Sequence, residues 1–469
     1  MPRPARAFKL GIWYRYQSDE TPTIPRKIRL RPHCDPAWWA RGQDRLRRAI
    51  KTGSFVIKRV FAVLVLSLFS LGTLAAAPRE TWQGAWGHPP TAYNDLAPIP
   101  RGDGRAPARP VYAPLPPYND TTVRQVVRLS AAAQTIRLRF SNEFGNKPLR
   151  LGAVHIALAG DKDAILPGSD HVVTFAGRNA VDVPPGAPQL SDPLSWPLPA
   201  FARLAVSVHY PGETVPPAHT LFALNAWQSP GEQTSAPALA NPMPARSGLH
   251  LSQIDIVPAR PGGSLVTFGD SITEGVASSV GAFRGWPDRL AERLQADAAL
   301  RGWSVVNAGM GSNRLLHDTP STNALSRFDR DVLSVPGVKA AIVLLGINDI
   351  QYTHRNALEA VHAAEEIAAL RQLITRAHAA GIRLYGATIT PFEGSPDYTP
   401  EGEADRQAVN DFIRSGAFDG VVDFDAALRE RAKPSQLDAR FETDGHLHPN
   451  DAGYAQMGDS VPLSLFKEK

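Results

Sequence analysis

Four stretches of this 469-residue chain carry groups that together could transfer an acyl group. "FGDSITEG" holds Ser271, "LLGINDI" holds Asn348, "NAGMGSNRLLHD" holds the Gly311/Ser312 turn, and "TDGHLHPNDAGY" holds Asp444, His446 and His448. Acyl transfer needs a hydroxyl nucleophile, a base to take its proton, an acid to orient that base, and donors for the tetrahedral oxyanion. Ser271 suits the first role, His448 the second and Asp444 the third. The side-chain amide of Asn348 and a backbone N–H of the Gly311/Ser312 turn suit the fourth, and the N–H of Ser271 would face the same space as its Oγ. Each residue has a plainer explanation when taken singly. A serine after a strand usually caps a helix, an asparagine in Gly-x-Asn-Asp tolerates a left-handed backbone, and a histidine before Pro-Asn suits a surface turn. The case for chemistry is that all of them follow the ends of successive strands.

Those strands are legible as short apolar runs alternating with helical segments after the turn "ARPGG". "SLVTFG", "SVVNAG", "KAAIVLLG", "IRLYGATIT" and "GVVDF" are the strands, and "WPDRLAERLQADAAL" and "NALEAVHAAEEIAALRQLITRAHAAG" are helices. Apolar strands linked by helices imply a parallel sheet covered on both faces, which binds ligands at the carboxyl ends of its strands. Before that turn the grammar differs. "TTVRQVVRLS", "TIRLRFSNEFG" and "ARLAVSVHY" alternate with period 2, the mark of strands with one buried face, and Pro/Gly turns such as "DVPPGAP" separate them. The expectation is an antiparallel β-sandwich over 78–258, jelly-roll-like, followed by an α/β domain over 262–469.

The chain's net charge of +5 invites a polyanion-binding reading. Residues 1–77 hold fifteen Lys/Arg against four Asp/Glu, however, so everything after them is net acidic and that reading loses its support. "VIKRVFAVLVLSLFSLGTLAAAPRE" has the cationic, apolar and small-residue order of a secretory signal. Its apolar run falls short of the ~20 residues that span a bilayer. The expectation is a signal over 56–77, a mis-called or atypical extension over 1–55, and a secreted or periplasmic product without a stable membrane anchor. Cys34, the single cysteine, lies in that extension, so no disulfide framework and no Cys-ligated zinc is expected.

In order and spacing, the four segments resemble the motif blocks of the SGNH hydrolases, or GDSL esterases/lipases. The resemblance covers about residues 262–469 and implies a flavodoxin-like three-layer α/β/α fold and a serine acyl hydrolase. It implies that Ser271 is the nucleophile and an oxyanion donor, Asn348 the amide donor and His448 the base. Two positions depart from the pattern. Ser312 occupies the slot of the donor glycine, with Gly311 just before it, and Asp444 stands four residues before His448 where three is usual, leaving Gly445 in the expected place. Pairing of Asp444 with His446 is the alternative. "GWPDRLAERL", "GATITPFEG" and "HLHPNDAGY", after a β-domain with "SNEFGNKPL", resemble exported xylan or carbohydrate acetylesterases. An acetylated saccharide or another small ester is therefore the expected partner.

Asp270, Arg314 and Trp286, near the motifs, are candidates for the pocket wall. His354, His362, Glu365 and Glu366 fall on one helical run without H-E-x-x-H spacing and read as solvated positions rather than metal ligands. Neither a G-x-S-x-G elbow nor a Walker loop occurs, which counts against an α/β-hydrolase and a nucleoside-triphosphate enzyme. No metal, cofactor or nucleic acid is expected. Two competing readings are a lipid or general short-chain carboxylesterase, and a non-catalytic carbohydrate-binding protein on a degenerate scaffold.

Overall fold

Alternating sequence patterns become two larger antiparallel sheets and a two-stranded one, Leu149–Leu151 with Val181–Val183, in the first half of the chain. The computed structural model describes residues 81–91, 116–217, 225–245, 247–318, 322–353 and 357–467; the expected extension, export signal and Cys34 lie outside them. One sheet joins Gln83–Gly87, Leu251–Pro258, Ala133–Ser141 and Pro188–Leu190, with Leu194–Leu198 also on Ala133–Ser141. The other runs Met243–Pro244, Ala226–Pro230, Thr121–Arg128, Arg203–Tyr210, Val154–Leu158 and His171–Val172. Ile136, Leu138, Phe140 and Ile254 of the first share one core with Val123, Val127, Leu204 and Val206 of the second.

The expected solvated face of Thr121–Arg128 is covered instead. Arg124 is fully buried, and its guanidinium donates to Ser207 Oγ (2.7 Å) and to the carbonyls of Asp163 (2.7 Å) and Ala236 (2.8 Å). Loops fold over the outer face and satisfy the cation, a cover that period-2 alternation does not encode.

The second half is a parallel sheet of β1 (Gly263–Gly269), β2 (Trp303–Gly309), β3 (Val338–Leu344), β4 (Arg383–Ala387) and β5 (Val421–Val422). Its order is 2-1-3-4-5, a doubly wound order whose direction reverses beside β1. The helices are α1 (Ser271–Glu274), α2 (Trp286–Ala296), α3 (Ala324–Phe328), α4 (Ile347–Thr353), α5 (Ala363–Ala379), α6 (Pro400–Arg414), α7 (Phe424–Leu428) and α8 (Asp451–Ser460). Strand β1 is buried along its whole length, as expected of a central strand with both faces covered. Helix α5 starts several residues later than the Ala-rich run suggests, because His362 caps it and the Glu365 carboxylate returns to the His362 N–H (3.2 Å). No helix among the described residues is long and apolar enough to cross a membrane.

The two halves pack through polar as well as apolar contacts. Ser304 Oγ donates to the Gly84 carbonyl (2.6 Å), Gly84 N–H donates to Ser264 Oγ (3.0 Å), and Ser130 Oγ donates to the Val305 carbonyl (2.8 Å). Glycine is needed at 84 and 87 for this approach, since a Cβ there would lie 2.8 Å and 2.4 Å from the side chain of Val306. Arg128 reaches across to Asp288 (3.0 Å) and Glu292 (3.2 Å) on α2.

Candidate active site

The register of the parallel sheet gathers the motifs. Gly269 pairs with Gly309 and with Leu344, so β1, β2 and β3 end side by side, and Ser271, Gly311/Ser312 and Asn348 follow those ends within a few residues. Ser271 is the first residue of α1. Asp270 caps the helix, its Oδ1 accepting the Ile272 N–H (2.9 Å). The N–H of Ser271 thus belongs to the first helical turn, where backbone donors have no intrahelical acceptor. The capping role expected of a serine here falls to its neighbour Asp270, which leaves the Ser271 hydroxyl available. That hydroxyl lies 2.8 Å from His448 Nε2.

His448 is carried there by the residues after it. Asn450 caps α8, accepting the Gly453 N–H (3.0 Å), and its amide donates to the carbonyls of Arg440 and Glu442 (3.0 Å each), closing the loop that carries the histidine. Asp451 accepts from the Ser279 N–H (2.8 Å) and hydroxyl (2.6 Å), and Tyr454 donates its hydroxyl to the Val276 carbonyl (2.6 Å). The "NDAGY" word therefore pins the start of α8 to the segment that follows the nucleophile. Burial pushes the His448 imidazole down to about 4, so at neutral pH it is an unprotonated base.

Asp444 is not brought to this histidine. It is exposed, and no hydrogen bond joins its carboxylate to His448 or to His446. His446 instead bonds Glu442 Oε2 through Nδ1 (2.7 Å), which also removes the alternative Asp444–His446 pair. The extra residue between the acid and the base is absorbed by a left-handed backbone at His446 (φ 50°), not by Gly445, and the loop carries Asp444 outward.

Asn348, near the start of α4, donates from Nδ2 to the Asn313 carbonyl (3.0 Å). A second amide hydrogen remains for another acceptor. Beside it, the buried Asp349 carboxylate accepts the N–H groups of Leu315 (2.6 Å) and Leu316 (3.3 Å), tying α4 to the loop after β2. Ser312 in that loop has φ 56°, a left-handed conformation that glycine would adopt more readily than serine. Asn348 and the strained Ser312 turn are thus held by a shared set of backbone bonds.

The three pocket-wall candidates lie in the interior. Trp286 is fully buried and packs edge-on against Phe424 at 5.1 Å. Arg314 is fully buried, bonded to the Glu359 carboxylate (2.6 Å) and carbonyl (2.8 Å). Asp270 is also buried and caps α1; burial pushes its carboxyl up to about 7, the Ile272 N–H and Arg327 only partly offsetting the loss of water. Burial is the common correction, because adjacency to a motif in sequence does not say which side of the chain faces the solvent.

Two further residues organise the edge. The buried guanidinium of Arg327 donates to the Gly269 carbonyl (2.8 Å), the Ala308 carbonyl (3.0 Å) and Asn313 Oδ1 (2.9 Å), clamping the ends of β1 and β2. Nothing in sequence hinted at this, because an arginine in a short helix beside other charges reads as surface. Glu366, expected to be solvated, is fully buried, and among the described residues neither carboxyl oxygen has a hydrogen-bond partner. Burial, with Asp349 and Asp405 nearby, holds its carboxyl well above the usual range. A Cβ at Gly346, where φ is 124°, would lie 2.4 Å from Glu366 Oε2, so this acid packs beneath the turn that presents Asn348.

A cavity of about 140 Å³ lies between the two halves, lined by Trp86, His88, Arg128, Phe201, Glu274 and Phe283 among others; neither Ser271 nor His448 is in its wall. Among the described residues, no group of three or more His, Cys, Asp or Glu is placed to hold a metal ion. The arrangement at the sheet edge comprises a partly exposed hydroxyl, a neutral imidazole on it, a side-chain amide and a left-handed turn. It is equipped to deprotonate Ser271 and to stabilise negative charge beside it.

Residues 267–456 match the model of the GDSL-like Lipase/Acylhydrolase family. No curated protein matches the chain. Similar solved structures include a variant of Axe2, an acetyl-xylooligosaccharide esterase from Geobacillus stearothermophilus, at 22% identity, covering 45% of this chain and 96% of that one with a TM-score of 0.36. Another is LAE5, an alpha/beta hydrolase enzyme from the metagenome of Lake Arreo in Spain, at 21% identity, 44% and 95% coverage and a TM-score of 0.35. A protein from Desulfitobacterium hafniense DCB-2 assigned to the lipolytic G-D-S-L family is 22% identical, with 42% and 97% coverage and a TM-score of 0.33.

Proposed function

We propose that this chain, whose residues 267–456 match the GDSL-like lipase/acylhydrolase model, is a carboxylic ester hydrolase that works through a Ser271–His448 dyad. His448 Nε2 takes the Ser271 proton as Oγ attacks the ester carbonyl, and the tetrahedral oxyanion is held by the N–H groups of Ser271 and Ser312 and by the Asn348 amide. The proton then passes from His448 to the departing alcohol, leaving an acyl-Ser271 ester. Water, deprotonated by the same imidazole, releases the acid. The observation that carries this reading is the 2.8 Å contact of Ser271 Oγ with His448 Nε2, between segments 177 residues apart.

The substrate we favour is a short-chain, acetyl-type ester on a saccharide, supported by the sequence words shared with exported carbohydrate acetylesterases. In the same reading the parallel sheet is a flavodoxin-like layer between helices, the two antiparallel sheets form a jelly-roll-like sandwich over 78–258, and a signal over 56–77 directs export. Hydrolysis of p-nitrophenyl acetate by the full chain is expected, and Ser271→Ala should abolish it while leaving the circular dichroism unchanged. Turnover retained in that variant would sink the mechanism. Faster release of long acyl chains than of acetyl from a matched series would replace the saccharide acetylesterase with a lipid or general carboxylesterase.

A further inference from the structure

The antiparallel half reaches the oxyanion turn through two partly buried side chains. His88 follows the strand Gln83–Gly87 and places Nε2 3.9 Å from Glu274 Oε1. Glu274 closes α1 one turn after Ser271, so the two side chains stand on neighbouring positions of the same helix face. The Glu274 carboxyl accepts the backbone N–H of Gly311, the residue before Ser312. Burial raises the Glu274 carboxyl, while the His88 ring and the Gly311 N–H pull it back toward the ionised form.

A restraint at this point has a physical purpose. Ser312 sits at φ 56°, and a non-glycine residue in the left-handed region is strained, a strain that the surroundings must override. The start of the turn is tied elsewhere, by Gly309 N–H to Asn307 Oδ1 (2.8 Å) and by Met310 N–H to the Gly269 carbonyl (3.1 Å). The Glu274 carboxyl adds a hydrogen bond to the backbone N–H directly before the strained residue. Without it the turn could relax and rotate the Ser312 N–H away from the substrate oxygen.

We infer that Glu274 is a positioning residue for the oxyanion turn and that His88 holds it in place, so that the antiparallel half is a working part of the hydrolase rather than an appended module. This rests on the Ser271–His448 mechanism proposed above. The test uses the full chain with Glu274→Ala, Glu274→Gln and His88→Ala, each assayed on p-nitrophenyl acetate and by amide hydrogen exchange across 309–314. Glu274→Ala is expected to lower kcat about tenfold or more with KM within about twofold, since loss of one oxyanion donor costs about a hundredfold. It should also speed exchange at 311 and 312. Glu274→Gln, whose amide oxygen still accepts the Gly311 N–H, should restore most of kcat, and His88→Ala should fall between them. Wild-type kcat and wild-type exchange in Glu274→Ala would overturn the inference, as would equal losses in the alanine and glutamine variants. Should Glu274→Ala not fold, unaltered exchange and kcat in His88→Ala would overturn it equally. A wild-type chain without esterase activity would instead remove the mechanism, and exchange at 311 and 312 would still decide the positioning role.

Discussion

Among the described residues, His448 meets Ser271 without a carboxylate on its other nitrogen, and that single difference from a triad has measurable consequences. In a Ser-His-Asp site the acid raises the basicity of the imidazole, and its removal costs about 10⁴ in kcat. Here burial alone acts, holding His448 down near 4, and Asp444 stands exposed on the loop. The base must be neutral to accept a proton, so activity should be present above this value and lost as pH falls through it. Between pH 7 and 5, kcat/KM for p-nitrophenyl acetate should stay flat and then decline with a midpoint near 4, and Asp444→Ala should leave both profile and rate within about threefold. A midpoint near 7 that vanishes in Asp444→Ala would show the loop swinging the acid inward. Ser271, Asn348 and His448 were legible because each has a fixed place relative to a strand end or a helix cap. Asp444 was not, because one inserted residue in a loop can be absorbed by any of several backbone angles, here by φ 50° at His446.

At the level of elements, the site depends on how closely α1 approaches the end of β2. A Cβ on Gly309 would fall 2.1 Å from the Glu274 backbone nitrogen and 2.6 Å from the Thr273 carbonyl carbon, both in α1. Backbone cannot yield as a long side chain does, so Gly309→Ala should push α1 off β2, costing about 1–3 kcal/mol of stability as overpacking does. It should also lower kcat by more than the lost folded fraction accounts for; chemical denaturation and kcat on the same preparation test both. The strands themselves were readable, since a run such as "SLVTFG" is apolar along its length and bounded by Gly and Asp. What held their ends together was not. Arg327 and Asp349 look like surface charges in sequence, and only the carbonyls and N–H groups of strands and loops distant in the chain make their burial favourable.

Across the whole molecule, the two halves share hydrogen bonds and ion pairs, which should make them unfold together. Arg128 lies in a strand of the antiparallel half, its guanidinium bonded to Asp288 and Glu292 of α2 and placed over the rings of Phe201 and Phe283 at 5.1 Å each. Arg128→Ala would leave Asp288 without its cation, and a loss of about 1–3 kcal/mol is expected, between the values for exposed and buried pairs. Scanning calorimetry should then show one transition at a lower midpoint; two resolved transitions in the wild type would mean that the halves are independent. The sequence by itself determined the order of the two halves, the parallel strands and the candidate positions Ser271, Asn348 and His448 at the ends of those strands, because periodicity and motif spacing are local properties of the chain. Only the tertiary structure decided that Asp444 faces solvent, that Trp286, Arg314 and Asp270 are interior, and that His88 and Glu274 connect the antiparallel sheets to the turn at Ser312. Those are matters of burial and of contacts between distant segments, which depend on what packs against a residue rather than on what precedes it.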